Sequence, residues 1–291
     1  MRVERIYDWK VGQGLSERDA RGADPAMQVA DTVRIGHISD THLGKGENPG
    51  MRRGQMRRWL EAFDGLDVQV VVHTGDLVEE PGDEASLDWA FETIDELSMP
   101  VVGVPGNHDV EEPAVESAVA RRWGGFPRVE TVGDVQMILA DSMAWPTVDE
   151  RSRRERDAAD ESGFYSAGGL GKAQRDEIAR LTAEPFDGAR IFAVHHHPRQ
   201  PVPPKPWYEQ NADLMRPMDD ADEVLELARD LGATLMLHGH RHQYTAPYAP
   251  FDDLLILNAD SSTPSAPPRR ARIVDIAHHG GAMRLWELVR F

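Results

Sequence analysis

The chain has 291 residues, 40 % of them hydrophobic, which suffices for one large core, and it has no cysteine, so disulfides and thiolate metal ligands are excluded. Against 32 basic residues stand 50 acidic ones, and the resulting formal charge of -18 disfavours tight non-specific binding to long polyanions such as DNA. No apolar run approaches the roughly 20 residues needed to span a bilayer, and Met1 to Ala30 has no apolar stretch of the secretory type, so a cytoplasmic protein away from membranes is expected.

Residues 1–30 are rich in Arg, Asp, Glu and Gly and read as an N-terminal extension; residues 31–291 read as a single domain. From Val33 onward, short runs rich in Val, Ile and Leu alternate with amphipathic stretches, the pattern of a layered α/β fold. Strands are expected at Val33 to Ser39, Val68 to His73, Val101 to Val104, Val135 to Ala140, Ile191 to Val194, Thr234 to Leu237 and Leu254 to Leu257, with two more at Ala271 to Ile276 and Met283 to Val289. Helices are expected at Arg52 to Phe63, Asp83 to Leu97, Pro113 to Arg122, Lys172 to Leu181 and Asp222 to Leu231. Two irregular segments interrupt this order. Trp145 to Ser162 carries a charge run and Pro198 to Pro217 is dense in proline; both read as surface loops, with a covering role over a site as the alternative.

Polar residues able to bind metal stand just after the apolar strands, where open α/β sheets place their ligands. Asp40 and His42 follow the first strand, Asp76 the second, and Asn107, His108 and Asp109 the third; His195, His196 and His197 follow the fifth, and His240 and His242 the sixth. Each alone has an ordinary explanation, since an Asp after a strand is often a helix cap and Gly-Asn is often a turn. Their recurrence at five strand ends is not explained by five separate turns.

With these residues in place, the chain resembles the calcineurin-like metallophosphoesterases, whose blocks D-x-H, G-D, G-N-H-[DE], a His near a Pro, and G-H-x-H all stand here between Val33 and Ala266. The resemblance implies two mixed sheets flanked by helices, an α-β-β-α sandwich, and two divalent or mixed-valence metal ions of the Mn, Fe or Zn type. It places Asp40, His42, Asp76 and His242 on one ion, and Asp76, Asn107, His196 and His240 on the other. His196 is chosen as the histidine two residues before Pro198, with His195 as its competitor. His197 would lie behind the ligands or face substrate, and His238 would end a strand. The resemblance makes His108 the group that protonates the leaving oxygen or stabilises transition-state charge, with Asp109 orienting its ring or capping the following turn.

What the family implies chemically is in-line attack on phosphorus by a hydroxide bridging the two metals. The segment Gly75-Asp76-Leu77-Val78-Glu79-Glu80-Pro81 lacks the arginine of the protein Ser/Thr phosphatases and the tyrosine of the purple acid phosphatases. The three histidines before Pro198, the Gly239-His240-Arg241-His242 block and Ser261-Ser262 look most like bacterial cyclic-AMP phosphodiesterases. A small phosphorylated substrate, such as a cyclic nucleotide diester, is therefore expected, with nucleic acid disfavoured. A repair-type nuclease is the alternative, suggested by His37-Ile38-Ser39-Asp40-Thr41-His42-Leu43-Gly44; a non-enzymatic scaffold with this fold is a further one. Oligomeric state is not legible.

Overall fold

In the computed structural model, residues 1–44, 49–110, 117–143, 168–199, 217–242, 245–263 and 269–290 are described. The apolar runs form strands buried almost throughout, because alternate side chains leave opposite faces of the pleat and both faces are covered. The first sheet has seven strands in the order β2-β1-β13-β12-β3-β4-β5: β1 Arg2–Lys10, β2 Gly14–Arg18, β3 Thr32–Ile38, β4 Val70–His73, β5 Val101–Gly103, β12 Arg269–Ala277 and β13 Ala282–Arg290. Strands β3, β4 and β5 run parallel, and β12 returns antiparallel to β3.

The second sheet has six strands in the order β10-β11-β9-β8-β7-β6: β6 Arg128–Val132, β7 Val135–Leu139, β8 Ala189–Ala193, β9 Ala233–His238, β10 Tyr248–Phe251 and β11 Leu254–Asn258. Here β7, β8, β9 and β11 are parallel, with antiparallel strands at both edges.

Three apolar clusters define the layers. Between the sheets, Val33, Ile35, Val70 and Val72 pack with Met137, Leu139, Ile191, Leu235 and Leu257. On the outer face of the first sheet lie α1 (Pro49–Asp64), through Met56, Trp59, Leu60 and Phe63, and α2 (Glu84–Asp95), through Leu87 and Ala90. The short α3 (Ala118–Arg122) adds Val119 to that cluster. Helices α4 (Gly171–Leu181) and α5 (Ala221–Asp230) cover the second sheet with Ile178, Val224, Leu225 and Ala228. The α-β-β-α sandwich with two mixed sheets, expected from the sequence, is thus the observed fold. Among the described residues no helix is long and apolar enough to cross a membrane.

One expectation differs. The first thirty residues hold two strands rather than none: β1 lies between β2 and β13, and its Ile6, Tyr7 and Trp9 are buried. A register shift between Val3 and Arg5 breaks the alternation that would have revealed it. The segment 145–162, residues 200–216 of the proline-rich segment, and residues 113–116 of the expected helix lie outside the described residues.

Arg34 on β3 and Asp275 on β12 are cross-strand partners with fully buried side chains. The guanidinium meets the carboxylate at 2.6 and 3.0 Å and also donates to the Pro25 and Leu66 carbonyls; Trp286 Nε1 donates to the same carboxylate. Removing one partner leaves the other charge buried and unpaired. Asp275→Ala is expected to lower unfolding free energy by roughly 3–5 kcal/mol, read by denaturant titration of the metal-free protein; a loss within error of zero would mean that the pair is not fully desolvated.

Candidate metal centre

Strands β3, β4 and β5 end side by side, and the chain beyond β3 and β4 keeps pairing after the strands finish. Asp40 N–H donates to Gly75 O, His42 N–H to Asp76 O and Leu43 N–H to Leu77 O, each at 2.9 Å. This zipper brings Asp40, His42 and Asp76 to one place. From behind, Ser261 Oγ donates to Asp40 O, and Ser262 exchanges hydrogen bonds with the Ser39 backbone. From the second sheet, the loops after β8 and β9 meet this edge: Gly239 N–H donates to His195 O, and His240 N–H reaches Asp40 Oδ1 at 3.1 Å.

The glycine of the Gly106-Asn107-His108-Asp109 block has a steric cause. A Cβ on Gly106 would lie 2.1 Å from Asp76 Oδ1 and 2.3 Å from Asp76 N, so only glycine lets this loop close on the carboxylate.

Asp40, His42, Asp76 and His242 each offer a ligand atom, all within 4.8 Å of one another. His242 Nε2 lies 3.1 Å from Asp40 Oδ1, and the Nε2 atoms of His42 and His242 are 2.7 Å apart. In a second group, Asn107 Oδ1 is 3.0 Å from both His195 Nε2 and His240 Nδ1, which are 3.2 Å from each other. One atom faces both groups: Asp76 Oδ2 is 3.6 Å from His42 Nε2 and 3.4 Å from His195 Nε2. The other oxygen, Oδ1, accepts the His108 N–H at 2.9 Å, which fixes the carboxylate plane.

At the histidine triplet both His195 and His196 reach the second ligand group, with different contacts. It is His195 that touches Asp76 and Asn107, whereas His196 Nδ1 is held by Ser142 Oγ at 2.8 Å. His196 remains close, with its ring 4.4 Å from that of His240, and His195, His196 and His240 could together surround an ion. The physical reason is position along the strand exit. His195 is the residue whose ring passes beneath the Gly75 turn, with Nδ1 2.7 Å from Thr74 O, and that bond aims Nε2 at the carboxylate. His197 and His238 are fully buried beside the group, their rings 6.1 Å apart.

His108 and Asp109 also divide differently. His108 Nδ1 lies 2.9 Å from Glu79 O; a carbonyl only accepts, so the proton sits on Nδ1 and proton transfer is left to Nε2. Asp109 accepts from Gly106, Val78 and Leu77 N–H at 2.8, 3.0 and 3.2 Å, tying the second and third strand-end loops together. Asp109 thus ties the loops through backbone bonds, while His108 Nδ1 is held by the Glu79 carbonyl. Burial, then the charge of Asp76, raises the Asp109 carboxyl to about 7. Sequence reasoning missed Glu79 and Arg52: Arg52 on α1 donates to His42 O and to the Glu79 carboxylate at the rim. Their signal was faint, because neither stands in a motif block.

The donor set suits a pair of divalent ions. Imidazole nitrogen, carboxylate and amide oxygen are the ligands of Mn, Fe and Zn. Nε2 of His196 is buried without a hydrogen-bond partner among the described residues, so it stays open to an ion beside His195 and His240. Burial works to raise the Asp76 carboxyl, yet His195 holds it well below the usual range. Burial likewise disfavours charge on His195, but Asp76 holds its ring up to about 9. A proton on His195 therefore does, in the metal-free protein, what a cation would do.

Residues 33–244 match the family model described as calcineurin-like phosphoesterase. No curated protein sequence matches significantly. Among solved structures, a dimetal phosphatase from Danio rerio is similar at a TM-score of 0.61 and 14 % identity, over 89 % of this chain and 99 % of that one. A purple acid phosphatase from yellow lupin seeds is similar at 0.57 and 14 % identity, over 94 % of this chain and 55 % of that one. At such identities the likeness concerns the fold.

Two outcomes test this geometry. His195→Ala is expected to lose one of two ions in elemental analysis after Mn²⁺ reconstitution, while His196→Ala keeps both; the reverse pattern would restore His196. Because His195 must shed its proton to bind, apparent metal affinity should climb as pH rises toward 9, by up to about tenfold per pH unit. Flat affinity between pH 6 and 8, measured by competition with a chelator of known protonation, would contradict the His195 assignment.

Proposed function

The chain belongs to the calcineurin-like phosphoesterase family, the metal-dependent hydrolases of phosphate esters, and from that premise we propose that it cleaves small phosphodiesters, cyclic nucleotides among them, at a two-metal centre. The observation that carries the two-metal reading is the position of Asp76 Oδ2 between both ligand groups. Asp40, His42, Asp76 and His242 would hold one ion; Asp76, Asn107, His195 and His240 would hold the other. Divalent ions held there supply Lewis-acid charge for the phosphoryl oxygens and acidify water toward neutral pH.

The remaining work falls to the chain's own groups. His108, anchored through Nδ1 to Glu79 O, delivers a proton from Nε2 to the departing alkoxide oxygen. Asp109 keeps the Asp76 and Asn107 loops at a fixed separation by its three backbone bonds. Arg52 is engaged by Glu79 and by the His42 carbonyl, so it does not take the place of the arginine that protein phosphatases carry after the bridging Asp.

Substrate size follows from charge. Repulsion by a protein carrying -18 grows with the length of a polyanion, whereas attraction by two ions at the site does not. The test is a panel of cyclic nucleotides, bis(p-nitrophenyl) phosphate, phosphomonoesters, a phosphopeptide and single-stranded and duplex DNA with Mn²⁺ supplied. The small diesters are expected to rank first in kcat/KM and duplex DNA last. His108→Ala should retain both ions and lose about 10²–10⁴-fold in turnover on the best diester. Faster cleavage of DNA at low ionic strength would replace this reading with a nuclease, and no hydrolysis at full metal occupancy would replace it with a scaffold.

A further inference from the structure

A second set of metal-ligating side chains meets at the other end of the sandwich. The turn between β12 and β13 carries His278 and His279, whose ring centroids are 3.9 Å apart. His278 Nδ1 lies 3.0 Å from Asp134 Oδ2, just before β7, and His279 Nδ1 lies 3.3 Å from Asp187 Oδ1, two residues before β8. Asp187, His278 and His279 each offer a ligand atom, all within 4.8 Å of one another. We propose that Asp187, His278 and His279, with Asp134 holding the His278 ring from behind, form a separate site for Zn²⁺ or a similar late first-row divalent ion, and that this ion clips the two sheets together.

Distance and charge both favour an ion over two independent surface pairs. Ligand atoms around tetrahedral zinc at about 2.0–2.2 Å stand roughly 3.3–3.6 Å from each other, and the His279–Asp187 separation is close to this before any adjustment. Were both rings protonated, two imidazolium charges would stand 3.9 Å apart and repel. With one divalent ion both imidazoles are neutral, the ion balances the two carboxylates, and no like charges face each other. Two imidazoles with a carboxylate also form a donor set for which late first-row ions are preferred over Mg²⁺ or Ca²⁺.

The turn is held in position without the ion. A Cβ on Gly280, which has φ +64°, would lie 2.2 Å from Thr234 Oγ1 and 3.2 Å from Ala189 Cβ, so the turn rests directly on the starts of β8 and β9. His278 and His279 come from the first sheet, Asp134 and Asp187 from the second. An ion joining them adds a cross-sheet tie where the described structure otherwise relies on this close packing.

The site is independent of the catalytic centre. Ala277, beside the turn, pairs with Thr32 at the start of β3, whose seven residues separate it from the Asp40 end by about 20 Å. Side-chain exposures of 46 % for His278 and 60 % for His279 mean that the ion would exchange with solvent and that the variants below should fold.

The test uses the full chain without a polyhistidine tag, pre-loaded with Mn²⁺, titrated with Zn²⁺ by calorimetry, and scanned for thermal unfolding with and without Zn²⁺. The wild type is expected to take up one more Zn²⁺ than the His278→Ala/His279→Ala variant, which should unfold at the same temperature as wild type when Zn²⁺ is absent. Saturating Zn²⁺ should raise the Tm of the wild type by about 5 °C more than that of the variant. Asp134→Asn/Asp187→Asn should weaken the additional event at least tenfold. Equal stoichiometry in wild type and histidine variant, or equal Zn²⁺-dependent Tm shifts, would overturn the proposal. Because the readout is a difference between two proteins with the same catalytic centre, it stands apart from the substrate reading.

Discussion

Two carboxylates with almost no exposed surface, Asp40 and Asp76, sit at the ends of adjacent parallel strands, and the surrounding structure answers their charge. A lone buried carboxylate would take up a proton rather than stay ionised. Here both stay ionised because imidazoles from the opposite sheet reach them, His242 to Asp40 and His195 to Asp76. The centre is thus a cation site in any state of occupancy, filled by protons when nothing better is present. Divalent ions displace those protons, and their affinity and their pH dependence share one origin.

Holding so many donors on so few residues costs backbone strain. Asp40, His42, Asp76, His240 and His242 all have φ between 46° and 70°, and they are five of the eight non-glycine residues with positive φ among the described residues. A left-handed turn reverses direction in one residue, so a strand can end, present a side chain and leave the site at once. Such conformations persist only where neighbours over-determine them. The zipper between the Asp40 and Asp76 loops, the Ser261 and Ser262 bonds behind Ser39 and Asp40, and the three N–H groups on Asp109 supply that restraint.

This explains how much could be read from the chain alone. The parallel strands were legible because strands buried on both faces are continuous apolar runs, and the site was legible because each motif block is a strand exit, four of the five with a glycine or a left-handed residue. What escaped has no local signature. Three consecutive histidines are equivalent by composition, and only the Thr74 carbonyl, 121 positions away, selects His195. Arg34 and Asp275 are 241 positions apart and look like ordinary surface charges until β12 is laid beside β3. Strand β1 alternates imperfectly, and its charged residues find partners only in folded context, Asp8 with Arg18 and Arg284.

The candidate ligands are divided between the two sheets: Asp40, His42, Asp76 and Asn107 follow strands of the first, His195, His196, His240 and His242 strands of the second. No element holds a complete coordination shell, so the packing of Val33, Ile35, Val70 and Val72 against Met137, Leu139, Ile191 and Leu235 sets the ligand separations. A change of one methylene in that layer moves one half of the site against the other. Protein interiors accommodate such changes by small rigid shifts rather than by local flow, and a shift of an ångström matters at a centre where reacting groups must be aligned. The inter-sheet core therefore sets the geometry of the candidate centre as directly as the residues that line it.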